Sequence, residues 1–532
     1  MTELLHRMVA EWAAKRPEAP AVRCDGQEVD YGTLTRRVHG LAHVLRSTGL
    51  ADGDRVGVWL GKGLKVPVSF YGVSAAGGVL VPIDPKSPVE QVVRILTATG
   101  ATHLVTEEGR RRALSQILDA CPGIRQVVGV DPETRGGEAT RASFVSWETV
   151  LSEARDEAPT SRVMEMDPAY VLHTSGSTGT PKLIQHTHRS AMAFVDWAAA
   201  EYGLTSEDRL SNHSSHHTCF ATFDYYAAAR VGAATVVLTP AAMMLPASLA
   251  QLVARERISV WYSVPTALIQ LALRGDLESR DLAALRWVLF AGETFPAKHL
   301  QRIRQLLPGA RFSHVYGSTE TNVCTYFHLP GGSDGGAMAE GPLPIGQACS
   351  NARAMVVDEA LREVLPGEEG ELLIRGSTVM SGYWGDPARN RQVFFRQPVA
   401  GELEEIFFRT GDQVRQLADG NLTFVARADH QVKIRGHRVE LGEVETALLA
   451  VDAVEEAVAF TMPNNEGSSD LWAAVVVSPA AECTLRDLQR HLAVTLPRQA
   501  VPTEIQVLDA LPRTPTGKVD RKALVAEPAA TR

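Results

Sequence analysis

Apolar and polar positions in the first part of the chain follow two alternating periods. From Tyr31 to Leu45, apolar Leu34, Val38, Leu41, Ala42 and Leu45 recur three or four apart, which predicts a helix with one buried face. Arg55–Leu60 is a short, largely apolar run and predicts a strand. The pattern then predicts a helix over Val66–Ala76, a strand over Val79–Ile83, a helix over Val92–Thr97 and a strand over His103–Thr106. Tyr170–Leu172 and Trp287–Phe290 add further strands. This alternation predicts a mostly parallel sheet covered by helices. Polar, glycine-bearing stretches at 131–141 and 330–336 predict loops.

After residue 429 the rhythm changes. Val432–Ile434 and Trp472–Val477 have strand character, and Glu440–Ala450 and Leu485–Leu496 have helical spacing. A compact α+β unit follows as the expectation. The predicted fold class is therefore α/β, with a large N-terminal domain of layered sheets and helices (1–428) and a small C-terminal domain (429–532).

Composition narrows the function. A 45% apolar and 22% charged content is that of a soluble globular protein, and a net charge of -9 gives no overall attraction to nucleic acid. Cys24, Cys121, Cys219, Cys324, Cys349 and Cys483 form no CxxC pair, which argues against a zinc motif or disulfide framework and for a reducing, cytoplasmic setting. No apolar run reaches membrane-spanning length, and Met1–His6 lacks the charged and apolar regions of a signal peptide. A partner in nucleic acid or membrane is not expected.

The stretch Thr174-Ser175-Gly176-Ser177-Thr178-Gly179-Thr180-Pro181-Lys182 carries the strongest chemical signal. Glycines let a backbone approach a ligand closely, and hydroxyls, exposed N–H groups and a lysine suit a polyphosphate. The spacing is not that of a P-loop, since no lysine is followed by Ser or Thr after GxxxxG. Four more motifs follow in order: Ala291-Gly292-Glu293, Val315-Tyr316-Gly317-Ser318-Thr319-Glu320, Phe408-Arg409-Thr410-Gly411-Asp412, and Ala426-Arg427 through Asp429 to Lys433-Ile434-Arg435-Gly436. The chain closes on Thr514-Pro515-Thr516-Gly517-Lys518-Val519-Asp520-Arg521.

Singly, each motif reads as a turn, a cap or a solvated tail. In this order and spacing they resemble the adenylate-forming superfamily over roughly residues 10–525. The last two motifs look like its peptide-synthesis branch. The resemblance implies attack of a carboxylate on the α-phosphate of ATP, release of pyrophosphate, and transfer of the acyl group to a phosphopantetheine thiol. It implies that Thr174, Ser175, Gly176, Ser177, Thr178, Gly179 and Lys182 hold phosphates and that Glu320 binds Mg²⁺. Tyr316, flanked by Gly317, Ser318 and Thr319, would stack on adenine, with Gly292 and Glu293 lining its pocket. Asp412 would accept the ribose hydroxyls, and Arg427 would contact ribose or phosphate. Lys518 would bridge substrate carboxylate and α-phosphate. The small domain would then rotate about Asp429, withdraw Lys518 and bring the Lys433–Gly436 face to the cleft. With no carrier segment after residue 532 and no condensation segment before residue 1, a free-standing, monomeric enzyme that loads a discrete carrier protein is expected.

The acid pocket departs from the family pattern. Enzymes for α-amino acids place an aspartate where ungapped counting from Gly232 puts Cys219. The nearest acid is Asp224. In one reading Asp224 is a helix residue with no pocket role, and the substrate is an aryl or acyl acid passed to CoA or a carrier. In the other it pairs with a displaced amine, as in enzymes that load β-amino acids in macrolactam polyketide pathways. The second reading is favoured here, because a buried ammonium needs a counter-charge. Phe220, Phe223, Leu289, Ala291, Val315, Val323 and Cys324 would complete an uncharged pocket, which suggests an apolar side chain. His216 and His217 lack a third ligand for a metal and are read as pocket or gate residues.

Overall fold

The computed structural model describes residues 4–132, 142–174, 181–331, 342–401, 403–427, 431–464, 468–478, 483–513 and 519–526. Ser175–Gly179, Asp429, Lys518 and most of the two expected loops lie outside the described residues.

The alternating pattern builds the expected sheet. Arg55–Val58 lies between Val79–Pro82 and His103–Val105, parallel to both. The intervening helices are Lys65–Ala75 and Val89–Thr99, the second longer at both ends than its apolar spacing indicates. Pro168–Thr174 joins Val79–Pro82 in parallel and then turns back as Lys182–Thr187. Thr174 and Lys182 face each other as the last pair of this hairpin, so its tip carries the polar loop.

A second sheet supplies the cleft floor. Val260–Ser263, Trp287–Phe290 and Arg311–Tyr316 run parallel and nearly level, so Ser263, Phe290 and Tyr316 end at one edge. Ligands gather at the carboxyl ends of such strands because the chain leaves the sheet there with free backbone groups. A third, antiparallel sheet, which apolar spacing alone did not reveal, includes Leu403–Gln416 and Leu422–Arg427 and sets Asp412 opposite Arg427.

The C-terminal α+β unit begins with the hairpin Gln431–Ile434/His437–Glu440. Its turn residues Arg435 and Gly436 both have positive φ (50° and 78°), which matches the twist of a two-residue hairpin. Helices Leu441–Leu449 and Leu485–Thr495 pack on the sheet formed by Val454–Pro463, Ser469–Val477 and Glu504–Val507. Val444, Leu448, Leu471, Leu488 and Leu492 form a core of their own. Among the described residues no helix is long and apolar enough to cross a membrane.

One polar node ties the second sheet together. Buried Asp208 accepts from Arg286 at 2.6 and 2.8 Å and from Ser259 Oγ at 2.7 Å. These bonds hold its carboxyl below the usual range against the opposing effect of burial. Asp208→Ala leaves Arg286 and Ser259 without their acceptor. Because Arg286 is partly exposed, the expected loss is about 2 kcal/mol rather than the larger figure for a fully buried pair. Chemical denaturation of the large domain checks this, and a change under about 0.5 kcal/mol would contradict it.

Candidate active site

The strand ends, the Asp412–Arg427 rung and the C-terminal hairpin enclose a cleft with about 1230 Å³ of empty space. Its polar wall includes Thr174, Gly317, Ser318, Thr319, Asp412 and Arg427. At Gly317 an added Cβ would lie 1.6 Å from the Asn322 carbonyl oxygen, so only glycine lets the chain fold back on the end of its strand. Asp412 accepts from Arg427 Nη1 at 2.8 Å and from the Tyr316 hydroxyl. Tyr316, expected to stack on adenine, is buried behind this pair and does not itself line the cleft.

Charged groups of the small domain enter from the other side. Arg438 donates to both oxygens of Glu320, at 2.8 and 2.6 Å, and the Tyr383 hydroxyl donates at 2.8 Å. Glu320 is 0% exposed. Burial alone would raise its pKa, but Arg438, aided by Tyr383, holds it down to about 2. Lys182 pairs with Glu440, which Gln431 also contacts. Lys433 reaches into the cleft near Asp412, and loss of hydration pushes its pKa down. Gly436 closes against the large domain, where a Cβ would come within 2.2 Å of Val264 Cγ1.

The apolar wall holds Cys219, Phe220, Ala291 and Val323, together with Phe194 and Tyr262. The Phe220 and Tyr262 rings stack with centroids 4.5 Å apart. Tyr262 was not singled out from the sequence, although its strand ends at the same edge as Trp287–Phe290.

Several expected residues lie elsewhere. Phe223, Leu289, Val315 and Cys324 are buried in the core and do not line the cleft. Glu293 accepts from Thr266 N and Oγ at 3.1 and 2.7 Å, so it caps the helix Pro265–Arg274 rather than lining the cleft. His216 packs edge-on to Phe70 behind the cleft, and only His217 reaches its wall.

Asp224 departs most from expectation. It is 0% exposed, is not on the cleft wall, and lies in a π-helical turn over Phe223–Ala227. Backbone carbonyls in this wide turn take side-chain donors: Thr235 Oγ1 donates to Asp224 O, and the Tyr71 hydroxyl to Tyr225 O, both at 2.8 Å. Asn212 Nδ2 donates to Asp224 Oδ2 at 3.0 Å, while Oδ1 has no hydrogen-bond partner. Burial pushes the carboxyl well above the usual range, against Asn212 and Lys62.

The profile of the AMP-binding enzyme family matches residues 9–384, and that of the AMP-binding enzyme C-terminal domain matches 443–518. The chain belongs to the AMP-binding enzyme family. It is an AMP-forming ligase of that family, with the large and small domains of its fold. An L-proline--[L-prolyl-carrier protein] ligase of Pseudomonas fluorescens is 36% identical over 527 residues, which is 99% of each chain. A ligase of the same name from Streptomyces coelicolor is 35% identical, over 97% of this chain and 95% of its own. Among solved structures, the amide bond synthetase McbA from Marinactinospora thermotolerans has the same fold. It superposes with a TM-score of 0.85 at 24% identity, over 98% of this chain and 99% of its own.

In this AMP-binding enzyme the Lys182–Glu440 contact reports docking of the two domains. Gly436→Ala drives a methyl group into Val264 and must lift the hairpin. A zero-length carbodiimide cross-link between Lys182 and Glu440, read by peptide mass spectrometry, is expected in the wild type and reduced severalfold in Gly436→Ala. Equal yields would show that the hairpin tolerates the methyl group.

Proposed function

We propose that this ligase adenylates an apolar amino acid with ATP, releases pyrophosphate, and passes the acyl group to the phosphopantetheine thiol of a discrete carrier protein. The observation that carries this reading is the meeting of two sets of groups in one cleft: the Asp412–Arg427 pair, which Tyr316 backs from behind, on one wall and Lys433, Gly436 and Arg438 of the small domain on the other. The end-to-end match to two carrier-protein ligases supports the same reading.

In the first half-reaction two anions must meet, so cations have to neutralise the charge that builds at the α-phosphate. The loop from Thr174 to Lys182 and Arg427 supply donors and charge, and Asp412, backed by Tyr316, holds the nucleoside. Lys518 is assigned by resemblance as the cation shared by both reacting groups. Glu320, ionised and buried, is the oxygen donor suited to Mg²⁺, which would neutralise phosphate charge. Substrate carboxylate oxygen attacks phosphorus, the bond to the pyrophosphate oxygen breaks, and the acyl-adenylate remains.

The docked arrangement fits the second half-reaction. Arg438 then covers Glu320, Glu440 engages Lys182, and Lys433 faces the acyl-adenylate side of the cleft. Rotation near Asp429, between domains 1–428 and 429–532, would exchange this set for Lys518.

The finer reading is a β-amino acid whose amine pairs with Asp224, as in macrolactam starter loading. It is supported by the partnerless Oδ1 of a buried carboxyl and by the ion pair that commits the cleft-lining Asp412 to Arg427. A second reading, an aryl or acyl acid without an amine, is favoured by the distance of Asp224 from the cleft wall.

Pyrophosphate exchange with proline, matched α- and β-amino acids and amine-free acids separates these readings. Exchange with a β-amino acid, lost at least tenfold in Asp224→Asn, is expected. Exchange with amine-free acids that ignores the substitution would select the second reading. Lys518→Ala should lower exchange by about 10²–10³ while nucleotide binding, followed by calorimetry, persists. Exchange near the wild-type rate would remove Lys518 from the adenylation step.

A further inference from the structure

One end of the cleft contains three imidazoles from three separate segments. His173 is the penultimate residue of the strand Pro168–Thr174, His217 follows the strand Arg209–Asn212, and His437 begins the second strand of the C-terminal hairpin. The rings of His173 and His217 stack at 5.6 Å and 10°. Those of His217 and His437 stack across the domain boundary at 6.5 Å and 13°. Ser87 and Gln91 of the large domain and Gln499 of the small one line the same end.

His217 is anchored through Nδ1 and has a carboxylate near Nε2. Nδ1 lies 2.8 Å from Ser215 Oγ, and Nε2 lies 3.9 Å from Asp84 Oδ2. A tautomer that donates from Nδ1 to Ser215 leaves the Nε2 lone pair open. The Asp84 distance is too long for a hydrogen bond but short enough for an ion pair once Nε2 takes a proton. Asp84 is buried; against burial, a protonated His217 and the Lys86 N–H, which donates to Oδ1 at 2.9 Å, hold its carboxyl below the usual range. The other titratable groups near this end are His216, which lies behind the cleft, and Lys86. Burial keeps His437 neutral, with its pKa down to about 4, and lowers that of His217, which Asp84 opposes. His217 is thus the ring with a counter-charge waiting.

We propose that His217, paired with Asp84 and covered by His437 only when the small domain docks, accepts the proton of the attacking thiol. This rests on the thioester step proposed above. The S–H bond breaks and its proton passes to Nε2. The sulfur electron pair forms the C–S bond, and the bond from the acyl carbon to the adenylate oxygen breaks with its electrons leaving on AMP. The imidazolium, ion-paired to Asp84, then returns its proton to water. His437 is a positioning residue: it adds no charge, and its ring shields the acceptor from solvent in the docked state. The arrangement confines proton removal to the second half-reaction, because its third ring arrives with the hairpin that carries Lys433.

The test is single-turnover transfer from preformed adenylate to free pantetheine, using the acid that gives the strongest pyrophosphate exchange. His217→Ala should slow transfer by about 10²-fold or more, with partial rescue by added imidazole. Asp84→Asn should weaken the base, so the acid limb of the transfer pH profile moves to lower pH. His437→Phe keeps a stacked ring and should retain the profile shape. Adenylate formation is measured in each preparation. If His217→Ala transfers within about twofold of wild type, or loses transfer without imidazole rescue while Asp84→Asn keeps the wild-type profile, the proposal falls and the ligase reading stands. Absence of exchange with every acid in the wild type would overturn both.

Discussion

The pairing of Glu320 with Arg438 is the constraint on which the cleft depends. A carboxylate with no exposure costs several kcal/mol to ionise unless a cation stands beside it. Arg438 and the Tyr383 hydroxyl meet that need in the docked state, and the low pKa of Glu320 records how well. On the proposed reading, a metal ion meets the same need during adenylation. Both cannot occupy the carboxylate together. On the same reading, the Lys182 ammonium would serve either Glu440 or a phosphate. Two ion pairs would then link the position of the small domain to the contents of the phosphate site. A domain switch of this kind requires no strained backbone, only two mutually exclusive partners for each charge.

The fold was legible where the apolar period was regular. The αβ rhythm through residue 106, the strand Trp287–Phe290 and the helices of the small domain all appear where their spacing predicts them. The third sheet was not legible. Its longest strand, Leu403–Gln416, mixes exposed charges with buried positions and has no clean alternation to read. The motif residues at strand ends were legible through their order and spacing, since glycine and hydroxyl residues after a single apolar strand also suit an ordinary turn. Gly317 adds a steric constraint, since its neighbour's carbonyl leaves no room for a side chain.

The acid pocket was legible only in part, and depth explains the failures. Leu289 lies inside the strand Trp287–Phe290 and Val315 inside Arg311–Tyr316, while Ala291 and Gly317 follow directly after those strands. Only the later member of each pair reaches the cleft, because the earlier one lies a step further into the sheet. Periodicity gives the face of a strand but not its distance from the edge. Along the helical segment from Cys219, the π turn changes the angular step after Thr222, so a count carried through it misplaces Phe223 and Asp224. Asp84, His173 and His437 come from separate segments and share no local pattern. Only the folded sheets bring them beside His217.

Asp224 also bears on how an amine would be recognised. It belongs to a short polar chain: Lys62 donates to the Asn212 carbonyl at 2.7 Å, Asn212 donates to Asp224, and the Tyr225 hydroxyl donates to Asn212 Oδ1 at 3.2 Å. Burial lowers the pKa of Lys62 to about 7 and raises that of Asp224, so burial works against the charge on each. A carboxyl kept neutral offers little to an amine-free acid, whereas an arriving ammonium would stabilise its ionised form and supply the partner that Oδ1 lacks. On the β-amino reading, selection would then come from a change in ionisation on binding rather than from a preformed charge on the cleft wall. Cys219 and Phe220, at the start of the same helical segment, line the cleft, so this segment joins Asp224 to the cleft wall.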